Sequence, residues 1–172
     1  LLGNHDLFFK ESLSVSSSEL FLSKFKNVIV IKEPTTYETD ISIDIIPWIC
    51  KENQTECTNF IKKSKSPICI GHFEISGFKM YQGSISSEDG LSDKLFSNYE
   101  RVLSGHYHHR SKRGNIEYIG TPYEMTWQDY GDQKGFYIFD CTSREMNFVE
   151  NPSSIFMRVE YDDSGNWNYD AS

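Results

Sequence analysis

"VLSGHYHHR", residues 102–110, is an apolar run closed by glycine and then crowded with imidazoles: it holds three of the chain's five histidines. A short apolar run bounded by glycine reads as a buried strand, and the histidine beyond it stands at the strand's carboxyl end. The pattern recurs. "LLGNHD" (1–6) and "PICIGH" (67–72) also stop at glycine with a histidine one or two positions later. His5, His72 and His106 therefore share one context, and only His108 and His109 fall outside it. In open α/β sheets ligands collect at the carboxyl ends of strands, and glycine there lets the chain turn without crowding the site. Three such ends are expected to converge.

Neutral imidazole is a common metal ligand, and His106 and His108, two apart in an extended segment, project to one side and suit two neighbouring ions. Asn4 and Asp6 flank His5 with oxygen donors. Mixed imidazole and oxygen ligation favours Mn²⁺, Fe²⁺ or Zn²⁺ over Ca²⁺. A lone histidine after a strand is more often a hydrogen-bonded structural residue, so the weight rests on the repetition. Alternation turns His109 the other way, toward solvent or phosphate, and Glu74 is expected to be solvated or to support a ligand.

In 172 residues, 38% apolar and 15% aromatic content gives one globular domain with a genuine core and excludes a disordered chain. A net charge of −8 excludes nucleic-acid binding by basic surface alone, because such binding rests on Lys and Arg displacing counterions. Bound metals, a partner subunit or further segments would have to supply that charge. No apolar run is long enough to cross a bilayer, and the first residues lack a signal peptide's basic region and cleavage site. A soluble, unexported protein of the cytoplasm is expected. Cys50, Cys57, Cys69 and Cys141 form no CxxC pair, so buried free thiols are expected, although the Cys50–Cys57 spacing also allows a disulfide.

The element pattern is mixed. "SSSELFLSKF" (16–25) opens with Ser16 and Glu19 at capping-box spacing and predicts an amphipathic helix with Leu20, Phe21 and Phe25 on its packed side. Strands are predicted at 1–5, 27–31 ("NVIVI"), 41–46, 67–72 and 99–106, those at 27–31, 41–46, 68–71 and 100–104 being central, with a helix over 53–65. "NIEYIGTP", "GFYIFD", "REMNFVE" and "SIFMRVEY" then read as short strands suited to antiparallel pairing, and 81–93 as a surface loop.

"GNHD" (3–6), "GH" (71–72) and "GHYH" (105–108), in this order, resemble the third, fourth and fifth motifs of the calcineurin-like metallophosphoesterases. "PTTYETDISIDIIPWICKEN", "CIGHFEISGF", "SGHYHHR" and "YIGTPYEMTWQDYGDQKGFYIFD" narrow the resemblance to SbcD-type double-strand-break repair nucleases, nearest the recombination endonuclease subunits of tailed phages. The resemblance covers most of the chain and fades after about Asn151. It implies an α/β sandwich of two mixed sheets flanked by helices, holding two divalent ions, Mn²⁺ first and Mg²⁺, Fe²⁺ or Zn²⁺ as alternatives. It also implies that Asn4, His72 and His106 ligate one ion and His108 the other, while His5, steadied by Asp6, acts as the acid toward the leaving oxygen. DNA would be the substrate, an SbcC-type ATPase the partner, and two copies would pair through regions outside these residues.

The family's first two motifs, D-x-H and G-D-x-x-D, do not occur here; "GDQKG" (131–135) has the first two residues of the second and lacks its final aspartate. The expectation is therefore the carboxyl-terminal portion of a catalytic domain over 1–150, with 151–172 leading toward a capping region, and no activity from these residues alone. Two rival readings share the motifs. One is a metallophosphatase acting on phosphomonoesters, cyclic nucleotides or phosphoproteins, against which the nuclease-like "IDIIPW" and "IGTPYEMTW" segments weigh. The other is a metal-binding or interaction module without activity.

Overall fold

The computed structural model describes residues 1–84 and 88–161. Its main sheet has six strands: β1 (Thr35–Glu38), β2 (Ser42–Ile46), β3 (Ile68–His72), β4 (Arg101–Gly105), β5 (Ser111–Arg113) and β6 (Ile116–Tyr118), in the order β1-β2-β3-β4-β6-β5. β2, β3, β4 and β6 run parallel, and β1 and β5 are antiparallel outer strands. A separate antiparallel hairpin joins β7 (Gly135–Phe139) to β8 (Met146–Glu150). The architecture is mixed α/β with few helices. Among the described residues the second sheet is this two-stranded hairpin rather than a mixed sheet.

Two α-helices are described, α1 (Ser17–Leu22) and α2 (Gln54–Lys63). In α2, Cys57 and Ile61 lie one turn apart, so both reach the core, where they are fully buried. Lys62 and Lys63 complement the helix's carboxyl end, and Ser64 closes it ahead of Pro67. The core they enter is aromatic, with Phe73, Phe96, Tyr99, Tyr107 and Tyr118 packed beside Ile46, Val102 and Ile116. One carboxylate lies within it. Asp44 on β2 is 0% exposed and accepts from the hydroxyls of Thr36 (2.7 Å), Ser66 (2.6 Å) and Tyr99 (2.8 Å), which replace its lost water.

The predicted strands at 41–46, 67–72 and 99–106 form, as do those in "NIEYIGTP", "GFYIFD" and "REMNFVE". "NVIVI" does not: 27–31 is irregular, Val28 and Ile29 are exposed, and only Ile31 is buried, its carbonyl accepting from Leu2 N–H at 3.2 Å. "SIFMRVEY" likewise stays irregular, with Ile155, Met157, Val159 and Tyr161 exposed. β-Branched and aromatic residues favour strands only where a ladder and a packed face are available, and neither segment has a neighbouring strand among the described residues. Residues 1–5 form no strand either. Leu2 is held between Ile31 and Trp48, and Asn4–Asp6 make a single 3₁₀ turn.

α1 begins as predicted, with Ser16 Oγ accepting from Glu19 N–H at 3.3 Å. It is shorter than 16–25, and Leu20 and Phe21 are about 70% exposed (69% and 68%), so no described element covers the side predicted to pack. All four cysteines are free thiols. Among the described residues no helix is long and apolar enough to cross a membrane. Residues 85–87 of the predicted loop and 162–172 of the predicted terminal segment lie outside the described residues. The rest of that loop is not wholly free: Leu91 bridges to Ile75, its N–H donating to Glu74 O at 2.8 Å.

Candidate metal centre at the parallel strand ends

The sheet register brings the histidines together. β3 and β4 are parallel neighbours with His72 opposite Gly105, so His106, one residue on, lies beside His72 with ring centroids 5.2 Å apart. β2 ends at the same edge, and beyond it Trp48 places its ring 5.1 Å from His106 and 6.0 Å from His72. Trp48 N–H also donates to Leu2 O at 2.8 Å, which docks the amino-terminal segment alongside. That contact delivers Asn4, whose carboxamide oxygen stands 2.9 Å from Nε2 of His72.

The three glycines preceding the histidines serve close approach rather than turning. None of Gly3, Gly71 and Gly105 has a positive φ. A Cβ on Gly3 would lie 3.2 Å from the His72 ring and one on Gly105 3.0 Å from His72 Nδ1, so both glycines make room for that imidazole. A Cβ on Gly71 would lie 2.0 Å from the Phe73 ring. The left-handed residue is His106 itself, with φ +87°. Such a conformation costs a side-chain-bearing residue about 1–3 kcal/mol, and it is found where surrounding structure fixes a functional group.

His72 and His106 are half-buried and their basicity is suppressed. Burial, reinforced by His106 against an opposing pull from Asp6, holds His72 down to about 4. Burial and the nearby His5 and His108 hold His106 down to about 4. Both rings are thus neutral at physiological pH, the form that ligates metals. If Nε2 of His72 carries its proton it donates to the Asn4 oxygen; if it does not, the ring nitrogen and the carboxamide oxygen, 2.9 Å apart, are spaced to share a cation. That spacing matches two adjacent donors on one first-row ion, each about 2.1 Å from it. The donor set fits a divalent metal. Among the described residues no group of three or more His, Cys, Asp or Glu side chains is placed to hold a metal ion, and the donors gathered here are two imidazoles and the Asn4 carboxamide.

His5 is exposed and, with Asn4, Trp48, Glu74 and His106, lines an open cleft. Asp6 acts on the turn carrying Asn4 and His5: its carboxylate accepts from Gly3 N–H at 2.7 Å and Ser18 Oγ–H at 2.8 Å. His108 is held separately, its Nδ1 lying 3.1 Å from the nearer oxygen of Asp129 and its ring 5.4 Å from that of Tyr81. His109, expected to face solvent or phosphate, instead places Nδ1 3.0 Å from Asp132. Between the two aspartates lies Lys134, 3% exposed, with its ammonium 3.0 Å from Asp129, 2.9 Å from Asp132 and 2.9 Å from His108 O. Burial would raise the Asp129 carboxyl, but hydrogen bonds from Lys134, Thr126 N–H, His108 and Met125 N–H overcome it and hold the group at about 2.

Sequence reasoning assigned no role to Trp48, Asp129, Asp132 or Lys134. They lie in segments quoted for the resemblance, and although Lys134 is near Asp129 and Asp132 in sequence, the histidines they hold are far along the chain, Asp129 standing 21 residues from His108 and Asp132 standing 23 from His109. No local spacing encodes such a contact.

No protein-family profile matches the sequence. The chain is 38% identical over 170 residues to Exonuclease subunit 1 of Enterobacteria phage T4, an alignment covering 98% of this chain and 50% of that protein. The chain thus spans about half the length of the curated relative it matches.

Proposed function

We propose that this chain forms part of a metal-dependent phosphodiesterase, the DNA-cutting subunit of a recombination and repair nuclease. One observation carries the reading: Asn4, His72 and His106 come from three separate segments to one point, with both imidazoles held neutral. The similarity to a phage exonuclease subunit supports DNA as the substrate. In this reading Asn4, His72 and His106 hold one divalent ion and His108 contributes to a second. Mn²⁺ is the first choice, and Mg²⁺, Fe²⁺ and Zn²⁺ are alternatives. The ions would supply an acidified water and neutralise charge on the phosphoryl oxygens. His5, exposed at the cleft rim on a turn fixed by Asp6, is placed to give a proton to the departing oxygen. Trp48 packs against both ligand histidines and limits their motion.

With a net charge of −8 the chain gains little from phosphate attraction, so metal ions and a partner subunit, an SbcC-type ATPase, would offset the repulsion. Pairing of two copies through other regions and residence in the host cytoplasm belong to the same reading. The test uses the full-length protein with linear duplex DNA and with p-nitrophenyl phosphate, each with Mn²⁺ and with chelator. Chelator-sensitive DNA cleavage far exceeding ester hydrolysis is expected. Ester hydrolysis without DNA cleavage would favour a phosphomonoesterase, and neither activity a binding module.

A further inference from the structure

Behind His108 and His109 lies a buried Asp-Lys-Asp cluster whose hydrogen bonds leave each histidine one role. Lys134 has three N–H donors, directed to His108 O, an oxygen of Asp129 and an oxygen of Asp132. The Asp129 carboxylate also accepts from the N–H groups of Met125 (3.0 Å) and Thr126 (2.8 Å). Every other group around Asp129 is thus a donor, and the carboxylate only accepts. The contact to His108 Nδ1 is a hydrogen bond only if Nδ1 carries the proton, and in a neutral ring Nε2 is then a bare lone pair. Asp132 imposes the same on His109, with Lys134 on one oxygen and His109 Nδ1 on the other.

We propose that Asp129, Lys134 and Asp132 are positioning residues that lock His108 and His109 in the Nδ1–H tautomer, which leaves Nε2 of each ring as its acceptor or metal-ligating atom. This deepens the proposed function, since His108 is there a ligand, and it gives His109 a defined chemical state. A carboxylate behind a ligating imidazole fixes ring orientation and raises basicity. Lys134 keeps the two carboxylates together; without it two buried like charges would repel. The backbone of 129–134 is tied down at both ends, Asp129 N–H donating to Thr126 O at 2.9 Å and Asn151 N–H to Lys134 O at 2.9 Å.

The test is long-range ¹H–¹⁵N NMR of histidine-labelled, chelator-treated full-length protein at pH 8. In the unsubstituted protein both His108 and His109 are expected as Nδ1–H. An Nε2–H signal for His108 overturns the proposal without any variant. Asp129→Asn, whose amide can donate, is expected to shift His108 toward Nε2–H while leaving His109 unchanged, and Asp132→Asn to do the reverse. Lys134→Met should disturb both. Variants in which both tautomers are unmoved, with near-native unfolding temperature, contradict the assignment. Mn²⁺ titration separates this from the parent reading: Asp129→Asn should weaken binding roughly 10- to 100-fold. A switched tautomer with unchanged Mn²⁺ affinity would uphold the positioning role and remove His108 as a ligand.

Discussion

At the scale of single residues, the cleft combines groups with separable duties. His72 lies beside Asn4 and His106, and His108 lies beside Asp129. In the full-length protein, His72→Ala and His108→Ala should each abolish nuclease activity by removing ligands of different ions. His5→Ala should slow cleavage roughly 10²- to 10⁴-fold and leave Mn²⁺ binding intact, since an acid acts on the leaving group while a ligand assembles the site. Calorimetry showing lost Mn²⁺ binding in the His5 variant would contradict that division. Acid stability follows from the same rings. His72 and His106 titrate at about 4 when folded against an ordinary 6.5, so the unfolded chain binds protons first. Their contribution is complete above about 6.5 and is lost as pH falls from there to about 4. The loss is on the order of 2–4 kcal/mol for the pair after discounting for solvent access. Urea unfolding in chelator at pH 7.5, 5.5 and 4.5 checks it, and a flat profile would contradict the burial argument.

At the scale of elements, the strand ends are what the sequence makes legible. "PICIGH" and "VLSGH" name two strands, their direction and the residue at each tip, and parallel pairing in register does the rest. The glycines read from the sequence as letting the chain turn without crowding the site, and none of the three has the positive φ of such a turn. The structure shows the reason for them, which is room for the rings of His72 and Phe73. Gly71→Ala should therefore cost about 1–3 kcal/mol or more through overpacking against Phe73, read as a lowered unfolding midpoint. Gly105→Ala meets only the edge of His72 at 3.0 Å, so it should fold and weaken Mn²⁺ binding by displacing that ring. Equal loss of stability in both would show that the two contacts are alike. "NVIVI" and "SIFMRVEY" misled because a strand is a property of a pair, and composition carries no information about the partner. The Asp129–Lys134–Asp132 cluster was illegible for a related reason: its contacts join loops, where no periodicity relates one residue to another.

At the scale of the molecule, the proposed reading takes Asn4, His72 and His106 for one ion and leaves His108 for another, and among the described residues no group of three or more His, Cys, Asp or Glu side chains adds to them. Phe8, Phe9, Leu20, Phe21 and Ile29 are each more than half exposed at the amino-terminal side, an apolar surface of the kind that associates. These 172 residues expressed alone should self-associate and leave duplex DNA intact in Mn²⁺, and a longer protein carrying the further metal ligands should cut it. Cleavage by the shorter chain that disappears with His108→Ala would mean that a complete site lies within it. Metal at the strand ends of β3 and β4 would be located by anomalous scattering at the manganese edge from crystals of the Mn²⁺-soaked full-length protein. Two peaks about 3.5–4 Å apart are predicted, one against Asn4, His72 and His106 and the other against His108. Manganese bound elsewhere, or none at these histidines, would contradict the account.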